Sequence, residues 1–393
     1  MPPVRVIILH REPAPEAPPL EWLLATSRLV TGDRHVRGFV AAGAADVRLV
    51  AGPPDELSFG ERLAALVGRD RAGGAGGGED RLAGGPPGDR DPFGVVVLGA
   101  GSIPLARTAD LRRFVAAAGA AEPRVLANNA YSADIVAIAR ADRLPPIPPL
   151  PADNALPRWL AEVAGRRVRD LRDRWRLQVD LDSPLDVVLT AATTAFAGRA
   201  ATVTGRLAAV AARLADRRAE VVLAGRTNGR AVRWLERRSA ARIRALVEER
   251  GLRASSPLAL GPAAGGAEGT RIRPPRSTLG LLLDRDGPGA IGRLLAELGD
   301  AALVDTRVLL AHRLGPDEAG WPAAEDRYAS DLLDERSIGD PWLRELTAAA
   351  REAPIPIVLG GHTLVGPGVR LVAGWGLRER GPDRADAAGG TDA

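Results

Sequence analysis

The amino-acid sequence predicts an α/β fold in two domains, each built on a mainly parallel β-sheet. The chain has 393 residues, which is more than one hydrophobic core usually organises, so we expect two domains. Short runs that are apolar on both faces, such as GVVVLG at 94–99, are typical of parallel strands covered by helices. In both halves such runs alternate with segments of helical period, which is the order of β-α-β units.

The first half is predicted to form a three-layer α/β domain over residues 1–195. Its apolar runs predict strands, and its segments with apolar residues three or four positions apart predict helices. In chain order, the strands are 4–9, 47–51, 94–99 and 124–127 with edge strands at 168–171 and 177–181, and the helices are 20–29, 36–42, 111–118, 157–164 and 186–194.

Two segments of the first half are predicted to be irregular. Residues 70–92 are rich in glycine and charge and hold too little apolar surface to offset the entropy of ordering, so we expect a disordered loop. The sequence LPPIPPLP at 144–151 must be extended, because proline fixes its own φ and restricts the preceding residue. We expect it to be an internal connector.

The second half is predicted to form another α/β domain over residues 196–378. The predicted strands are 220–224, 304–311 and 355–359, and the predicted helices are 230–250, which Gly251 would end, and 291–298. Residues 259–276 read as a loop rich in glycine and proline, and 379–393 as a disordered tail.

The composition excludes several kinds of chemistry. The chain has no cysteine, and its 53 basic residues are all arginine. It therefore has no disulfide, thiolate nucleophile or cysteine-bound metal, and no lysine for Schiff-base catalysis or for a phosphate-binding loop. A reducing cytoplasm fits the absence of cysteine.

The charge and hydropathy of the chain also restrict its partners. The formal net charge is only +4, so the high isoelectric point reflects the pKa of arginine, and we do not expect nucleic acid as a partner. The arginines of segment 230–250 are expected to form a solvated face. No run of about 18 apolar residues is free of charges or helix breakers, so no membrane partner is expected.

Three motifs of the first half carry a family resemblance. A buried strand runs into GAGSIPL at 99–105, a DN pair at 153–154 precedes a helix, and VDLDSPLD occupies 179–186. Together they resemble the GT-A-like nucleotidyltransferase superfamily, which includes molybdenum-cofactor guanylyltransferase and phospholactate guanylyltransferase. In that superfamily the first motif reads G-D-x-P-L-L after a strand, and the third reads F-D-I-D-T-P-E-D.

The resemblance implies binding of a nucleotide or a phosphorylated metabolite, a small molecule, together with Mg²⁺. Alternate residues of a strand face the same side, so Asp180 and Asp182 could hold the cation. Alternatively, Asp182 and Ser183 only cap the helix that Pro184 opens. The expected ligand contacts are Arg11, Gly99, Gly101, Ser102, Asn128, Asn129, Asp153 and Asn154.

The sequence departs from the superfamily at two places. The first strand leads into HREPAP at 10–15, where a glycine-rich loop with arginine and lysine is expected. Ser102 stands near the position of a metal-binding aspartate and brings no charge. The alternative is therefore a non-catalytic or regulatory protein on a degenerate transferase scaffold.

The second half offers candidates for a different activity. His312 and His362 each follow a predicted strand, and Asp305 starts the segment that leads to His312. If both histidines converge with Asp305, Asp326 or Asp331, they could bind a metal or act in acid–base catalysis, as in a hydrolase. The alternative is a structural role for each histidine. A polar turn at 226–228, also at a strand end, is typical of a general anion site.

Overall fold

The structure is a computed structural model that describes residues 2–53, 55–72, 92–249 and 275–375. The chain divides into two compact units. The first comprises Met1–Ala17 and Ala25–Leu181, and the second comprises Pro18–Leu24 and Asp182–Ala393. The sequence placed the boundary later, after residue 195. Both units contain helices and a mostly parallel sheet, so the predicted α/β class is confirmed.

The first unit contains a six-stranded sheet and its covering helices. Its strands are β1 (Val4–Arg11), β2 (Asp46–Gly52), β3 (Gly94–Gly99), β4 (Val125–Ala127), β5 (Ile135–Ile138) and β6 (Val168–Asp170). Its helices are α1 (Pro19–Ala41), whose first residues count with the second unit, α2 (Phe59–Ala72), α3 (Thr108–Ala118) and α4 (Leu156–Glu162).

The strand order in this sheet is β2-β1-β3-β5-β4-β6, and β5 alone runs antiparallel to its neighbours. Alternate residues of a strand face opposite sides, so Val95 and Val97 pack into one hydrophobic cluster and Val96 and Leu98 into another. These two clusters explain why the strand sequences are continuously apolar. They also confirm the three-layer arrangement.

One continuous helix, α1, replaces the two helices predicted at 20–29 and 36–42. The sequence between them includes Gly32. In the structure a Cβ on Gly32 would lie 3.1 Å from the Cβ of Ala100. Glycine at this position therefore allows close packing inside a helix and does not end it.

The edge strand predicted at 177–181 does not form. A 3₁₀ turn spans Trp175–Gln178, and the backbone pairing of Asp180 with Ser102 is an isolated bridge outside the strands. The Nδ2 of Asn128 donates to the carbonyl of Leu177 at 2.8 Å, and the Nε2 of Gln178 donates to the carbonyl of Asn128 at 3.0 Å. Side-chain amides thus take backbone positions that a strand would need.

The proline-rich connector packs against the start of α2. The backbone N–H of Gly60 donates to the carbonyl of Leu150 at 3.0 Å. A Cβ on Gly60 would overlap the carbonyl oxygen of Pro148 and the backbone nitrogen of Leu150. This contact gives the connector its fixed position within the unit. The disordered loop predicted at 70–92 lies outside the described residues, except for its ends.

The second unit contains a four-stranded parallel sheet, formed by β7 (Glu220–Gly225), β8 (Arg242–Val247), β9 (Ala301–Asp305) and β10 (Ile357–Gly360). The strand order is β10-β9-β7-β8. Its helices are α5 (Pro184–Thr190), α6 (Ala201–Leu214), α7 (Gly229–Arg238), α8 (Thr278–Asp286), α9 (Ile291–Leu298), α10 (Thr306–Leu314), α11 (Ala324–Asp331), α12 (Pro341–Glu352), α13 (His362–Val365) and α14 (Val369–Ala373). Among the described helices, none combines the length and apolar character needed to span a membrane.

The prediction of one long helix over 230–250 was wrong beyond residue 238. Helix α7 ends at Ser239, whose Oγ donates to the carbonyl of Leu235 at 2.8 Å. The following segment forms β8, which pairs in parallel with β7 from Arg242 opposite Glu220 onward. The helical spacing of apolar residues continues past residue 238, although the helix does not. Gly251 and nearly all of 259–276 lie outside the described residues, as does the predicted tail at 379–393.

The strand predicted at 304–311 ends earlier, at Asp305. The side chain of Asp305 accepts a hydrogen bond from the backbone N–H of Arg307 at 3.1 Å, so it caps helix α10. The apolar residues that follow belong to the helix. Helix α5 is likewise shorter than predicted, because Ala191 adopts a left-handed conformation with φ of 51°.

We predict that Gly60→Ala destabilises the protein by about 1–3 kcal/mol, because the added methyl group displaces the connector. Gly68→Ala in the same helix is the matched control, since a Cβ added there would meet no neighbouring atom within 4 Å. Helix propensity should make that control neutral or slightly stabilising. Urea unfolding of both variants measures the difference, and equal stabilities would contradict the connector contact.

Candidate functional site

The first unit has a cavity at the carboxyl ends of its parallel strands. The cavity has a volume of about 440 Å³, within the usual range for small-molecule sites. Its walls come from the last residues of β1, β2 and β3, from the start of β5, and from the segment between β2 and α2. Open α/β sheets bind ligands at this edge, because the turns that follow parallel strands meet there.

Basic and acidic side chains lie on the walls of this cavity. Arg62 pairs with Asp55. Arg11 is exposed and forms no ion pair with the described residues. His10 is buried, and its pKa is lowered by burial and by the charge of Arg28. Arg11 is therefore the side chain best suited to meet an anion in this cavity.

Of the ligand contacts expected from sequence, Arg11, Gly99 and Asp153 line the cavity. The side chain of Asp153 also accepts the backbone N–H of Asn154 at 2.8 Å. Asn154 is exposed and is not part of the wall. The fold therefore brings three of the predicted ligand contacts to one site.

The other expected contacts make structural interactions. Asn128 is fully buried. Its Nδ2 donates to the carboxylate of Asp134 and to the carbonyl of Leu177, and its Oδ1 accepts the backbone N–H of Asp134. The Oδ1 of Asn129 accepts the N–H of Tyr131 at 3.0 Å. Both amides thus hold the turn between β4 and β5.

Gly101 and Ser102 form the turn after β3 and lie against another part of the first unit. The carbonyl of Gly101 accepts the N–H of Leu181 at 3.0 Å, and the Nε of Arg28 donates to the carbonyl of Leu181 at 2.7 Å. The Nε2 of His35 donates to the carbonyl of Ser102 at 2.7 Å. This turn therefore fixes the chain just before Asp182.

The second unit concentrates charged side chains at the carboxyl ends of β7, β9 and β10. Arg226 follows β7, Asp305 ends β9, and His362 lies two residues after β10. The chain leaves β7 toward β8 on one side, and β9 lies on the other side. Arg226 and Asp305 thus flank the point where the strand order reverses, which is the usual binding position in such sheets.

Arg226 and Asp305 form a bidentate ion pair across this point. The Nε of Arg226 lies 2.5 Å from one carboxylate oxygen of Asp305, and the Nη2 lies 3.1 Å from the other. Burial favours the neutral carboxyl group, but the charge and hydrogen bonds of Arg226, together with the charges of Arg307 and His362, outweigh burial and lower the pKa of Asp305. A Cβ on Gly225, which has φ of +124°, would overlap the Cβ of Asp305.

A second buried ion pair joins Arg307 to Asp331. Both guanidinium Nη atoms donate to the carboxylate of Asp331, one of them at 2.6 Å. Arg307 also donates to the Oγ1 of Thr306, which in turn donates to the carbonyl of Gly360 at 3.3 Å. The ion pair therefore connects α10, α11 and the end of β10.

Asp186 is buried beside these pairs. Its Oδ2 accepts the N–H groups of Asp182 and Ser183 at 3.1 and 2.8 Å and the hydroxyl of Ser183 at 3.0 Å. Its Oδ1 is buried and has no hydrogen-bond partner within the described part of the chain. Burial, with the charges of Asp182 and Asp331, raises the pKa of Asp186 to about 8. Asp186 is thus mainly protonated at neutral pH.

Asp182 and His362 offer donors for a metal ion. A carboxylate oxygen of Asp182 and a ring nitrogen of His362 lie within 4.8 Å of each other. Asp182 is exposed and His362 is half-buried, so solvent reaches the pair. The predicted cap also forms, since Ser183 is the N-cap residue of α5. Capping and metal binding are compatible, because the hydrogen bonds of the cap are made by the side chains of Ser183 and Asp186.

His312 does not join this group. It lies seven residues after Asp305 on α10, which corresponds to about 10 Å along the helix axis. Its Nδ1 accepts the N–H of Ser277 at 3.0 Å, and its Nε2 lies 2.9 Å from Asp284. Both ring nitrogens are therefore used to attach α10 to the start and end of α8.

Sequence reasoning found His362, Asp305 and Asp331 as candidates but missed Asp186 as a buried carboxyl group. Asp186 lies at the third position of a helix after Ser183, where a carboxylate normally caps the helix in solvent. One signal was available, because the neighbouring residues Leu185 and Val187 are apolar on both sides of it. That pattern is typical of a buried helix.

Neither a scan against models of known protein families nor a search of curated proteins gave a match for this chain. The geometry of the two sites therefore carries the functional conclusion.

We predict that His35 makes the protein less stable in acid. Burial lowers the pKa of His35 to about 4 from 6.5, so between these values the unfolded chain binds more protons and stability falls as pH decreases. The loss should reach at most about 3 kcal/mol at pH 4. Chemical denaturation measures the free energy of unfolding between pH 4 and 7. This free energy should change less steeply with pH in His35→Gln than in the parent chain. An unchanged slope would contradict the assignment.

We predict the opposite pH dependence for Asp186. Its pKa is raised in the folded state, so its burial costs little stability below pH 4 and progressively more as pH rises toward 8. Asp186→Asn should therefore gain stability relative to the parent chain between pH 4 and 9. Unfolding free energies of the two proteins across this range provide the measurement, and a constant difference would refute a buried protonated Asp186.

Proposed function

We propose that this protein binds a nucleotide or a phosphorylated metabolite in the cavity of the first unit. The observation that carries this proposal is the cavity itself, about 440 Å³ in volume at the carboxyl ends of β1, β2 and β3, with Arg11 on its wall. Apolar residues of the same wall, including Leu57 and Phe59, suit a base or a carbon skeleton. Arg11 suits the phosphate, because a guanidinium binds phosphate through charge-assisted hydrogen bonds.

The family resemblance supports the same class of ligand and adds a divalent cation. In this proposal the cation binds to the segment that contains Asp180 and Asp182. Carboxylate oxygens are the ligands that Mg²⁺ and similar hard cations use.

Binding of this kind does not require nucleotidyl transfer. Ser102 follows β3 where the resemblance implies a metal-binding aspartate, and an uncharged hydroxyl does not replace that charge. A regulatory protein on this scaffold would bind its ligand and leave it unchanged. Release of pyrophosphate from a bound nucleoside triphosphate separates the two functions.

We predict that Arg11→Ala weakens phosphate-ligand binding by about 10- to 100-fold, since a hydrogen bond to a charged group contributes about 1.5–3 kcal/mol. A thermal-shift screen of nucleoside triphosphates, nucleotide sugars and simple phosphates, with and without Mg²⁺, first identifies a ligand. Calorimetric titration of that ligand then compares the variant with the parent chain.

The matched control is Arg113→Ala, which removes an exposed arginine of α3 that does not line the cavity. It should bind the ligand like the parent chain. Equal affinity of the Arg11→Ala variant, or no ligand among all three classes, would reject the proposed function.

A further inference from the structure

In the second unit, the carboxylate of Asp182 lies beside the imidazole of His362, with ligand atoms within 4.8 Å of each other. One carboxylate and one imidazole form a mixed oxygen and nitrogen donor set. Zn²⁺ forms bonds of about 2.0–2.2 Å with such donors. The pair is thus suited to a different class of cation from the one that carboxylates alone select.

The donor set distinguishes between classes of metal ion. Mg²⁺ takes oxygen ligands almost exclusively and keeps several of its waters. Imidazole nitrogen favours Zn²⁺, Co²⁺, Ni²⁺ and Fe²⁺. We propose that the second unit binds a divalent transition-metal ion, such as Co²⁺ or Zn²⁺, through Asp182 and His362 and in preference to Mg²⁺.

The backbone around Asp182 is held by neighbouring residues. Its N–H donates to the Oδ2 of Asp186 at 3.1 Å, and Ser183 donates twice to the same oxygen. Asp186 therefore fixes the start of α5 immediately after the proposed ligand. Interactions of this kind raise metal affinity, because they hold the ligand in place before the ion arrives.

The turn that carries His362 is held equally well. Thr306 donates to the carbonyl of Gly360. At Gly361, the position of an added Cβ would lie 3.9 Å from nitrogens of both Arg226 and Arg307, so both guanidinium groups lie close to the residue just before His362.

Asp182 is exposed and His362 is half-buried, so water can complete the coordination of an ion that these two side chains bind. The proposal rests on cation binding at this segment in the proposed function and replaces the Mg²⁺ that the family resemblance implies with a transition-metal ion. It does not depend on ligand binding in the first-unit cavity.

The test is a metal titration of the full chain, without an affinity tag and without nucleotide. After chelator treatment, calorimetry compares Co²⁺ with Mg²⁺, and the Co²⁺ absorption spectrum reports its ligands. We expect Co²⁺ to bind at least about tenfold more tightly than Mg²⁺, and His362→Ala and Asp182→Asn each to weaken Co²⁺ binding by at least about tenfold. Glu236→Gln, at an exposed residue of α7, is the control and should leave binding unchanged.

A third variant reverses the preference. His362→Asp replaces the nitrogen donor with oxygen, so it should weaken Co²⁺ binding and strengthen Mg²⁺ binding. Thermal unfolding of the metal-free variants verifies folding, and if one variant does not fold the other two decide. The proposal is overturned if Co²⁺ affinity is unchanged in His362→Ala, or if Mg²⁺ binds the parent chain as tightly as Co²⁺.

The metal titration and the nucleotide titration fail independently. Arg11→Ala should leave Co²⁺ binding intact, because Arg11 belongs to the first unit. His362→Ala should leave intact whatever part of phosphate-ligand binding occurs without added metal. Failure of one of the two binding titrations therefore shows which of the two proposals is wrong.

Discussion

Parallel strand alignment is the constraint on which both units depend. When strands run in the same direction, the turns after them collect at one edge of the sheet, and each turn must expose polar groups where the apolar run ends. In the first unit this edge forms a cavity with Arg11 on its wall. In the second unit it holds Arg226, Asp305 and His362. The position of both candidate sites thus follows from the common direction of the parallel strands.

The second unit buries charged side chains at this edge, which costs free energy of desolvation. Asp305, Arg307 and Asp331 are buried and Arg226 is half-buried. Removing an ion from water costs several kcal/mol, which paired geometry only partly offsets. Arg226 with Asp305 and Arg307 with Asp331 form bidentate pairs, which limit that cost. Buried pairs are weak evidence for stability, so a role in fixing the surrounding turns explains them better.

The sequence predicted the central strands well and the segments at their ends less well. Strands such as β1, β3 and β7 are apolar on both faces, and no other structure accommodates such short runs as easily. In contrast, two apolar patterns continue across the end of an element. One continues past the end of α7 at residue 238, and the other runs from 304 to 311 across the end of β9. Those boundaries depend on single caps, at Ser239 and Asp305, whose side-chain hydrogen bonds a periodicity count does not include.

The candidate sites were predictable as single residues but not as pairs. Arg11, Gly99 and His362 were all identified from their positions after apolar runs. The proximity of His362 to Asp182, and of Arg307 to Asp331, depends on how distant parts of the chain fold together. His312 shows the converse, because a histidine in a similar sequence context serves only to attach two helices.

The close approach of Gly225 to Asp305 has an evolutionary consequence. Any side chain at position 225 would meet Asp305, and its φ of +124° is one that other residues rarely adopt. A related protein that keeps the Arg226–Asp305 pair must therefore also keep glycine before the arginine. Gly-Arg at the end of one strand and Asp-Thr-Arg at the end of its neighbour in the sheet form a compact sequence fingerprint. That fingerprint offers a means of detecting distant relatives whose overall sequences have diverged beyond recognition.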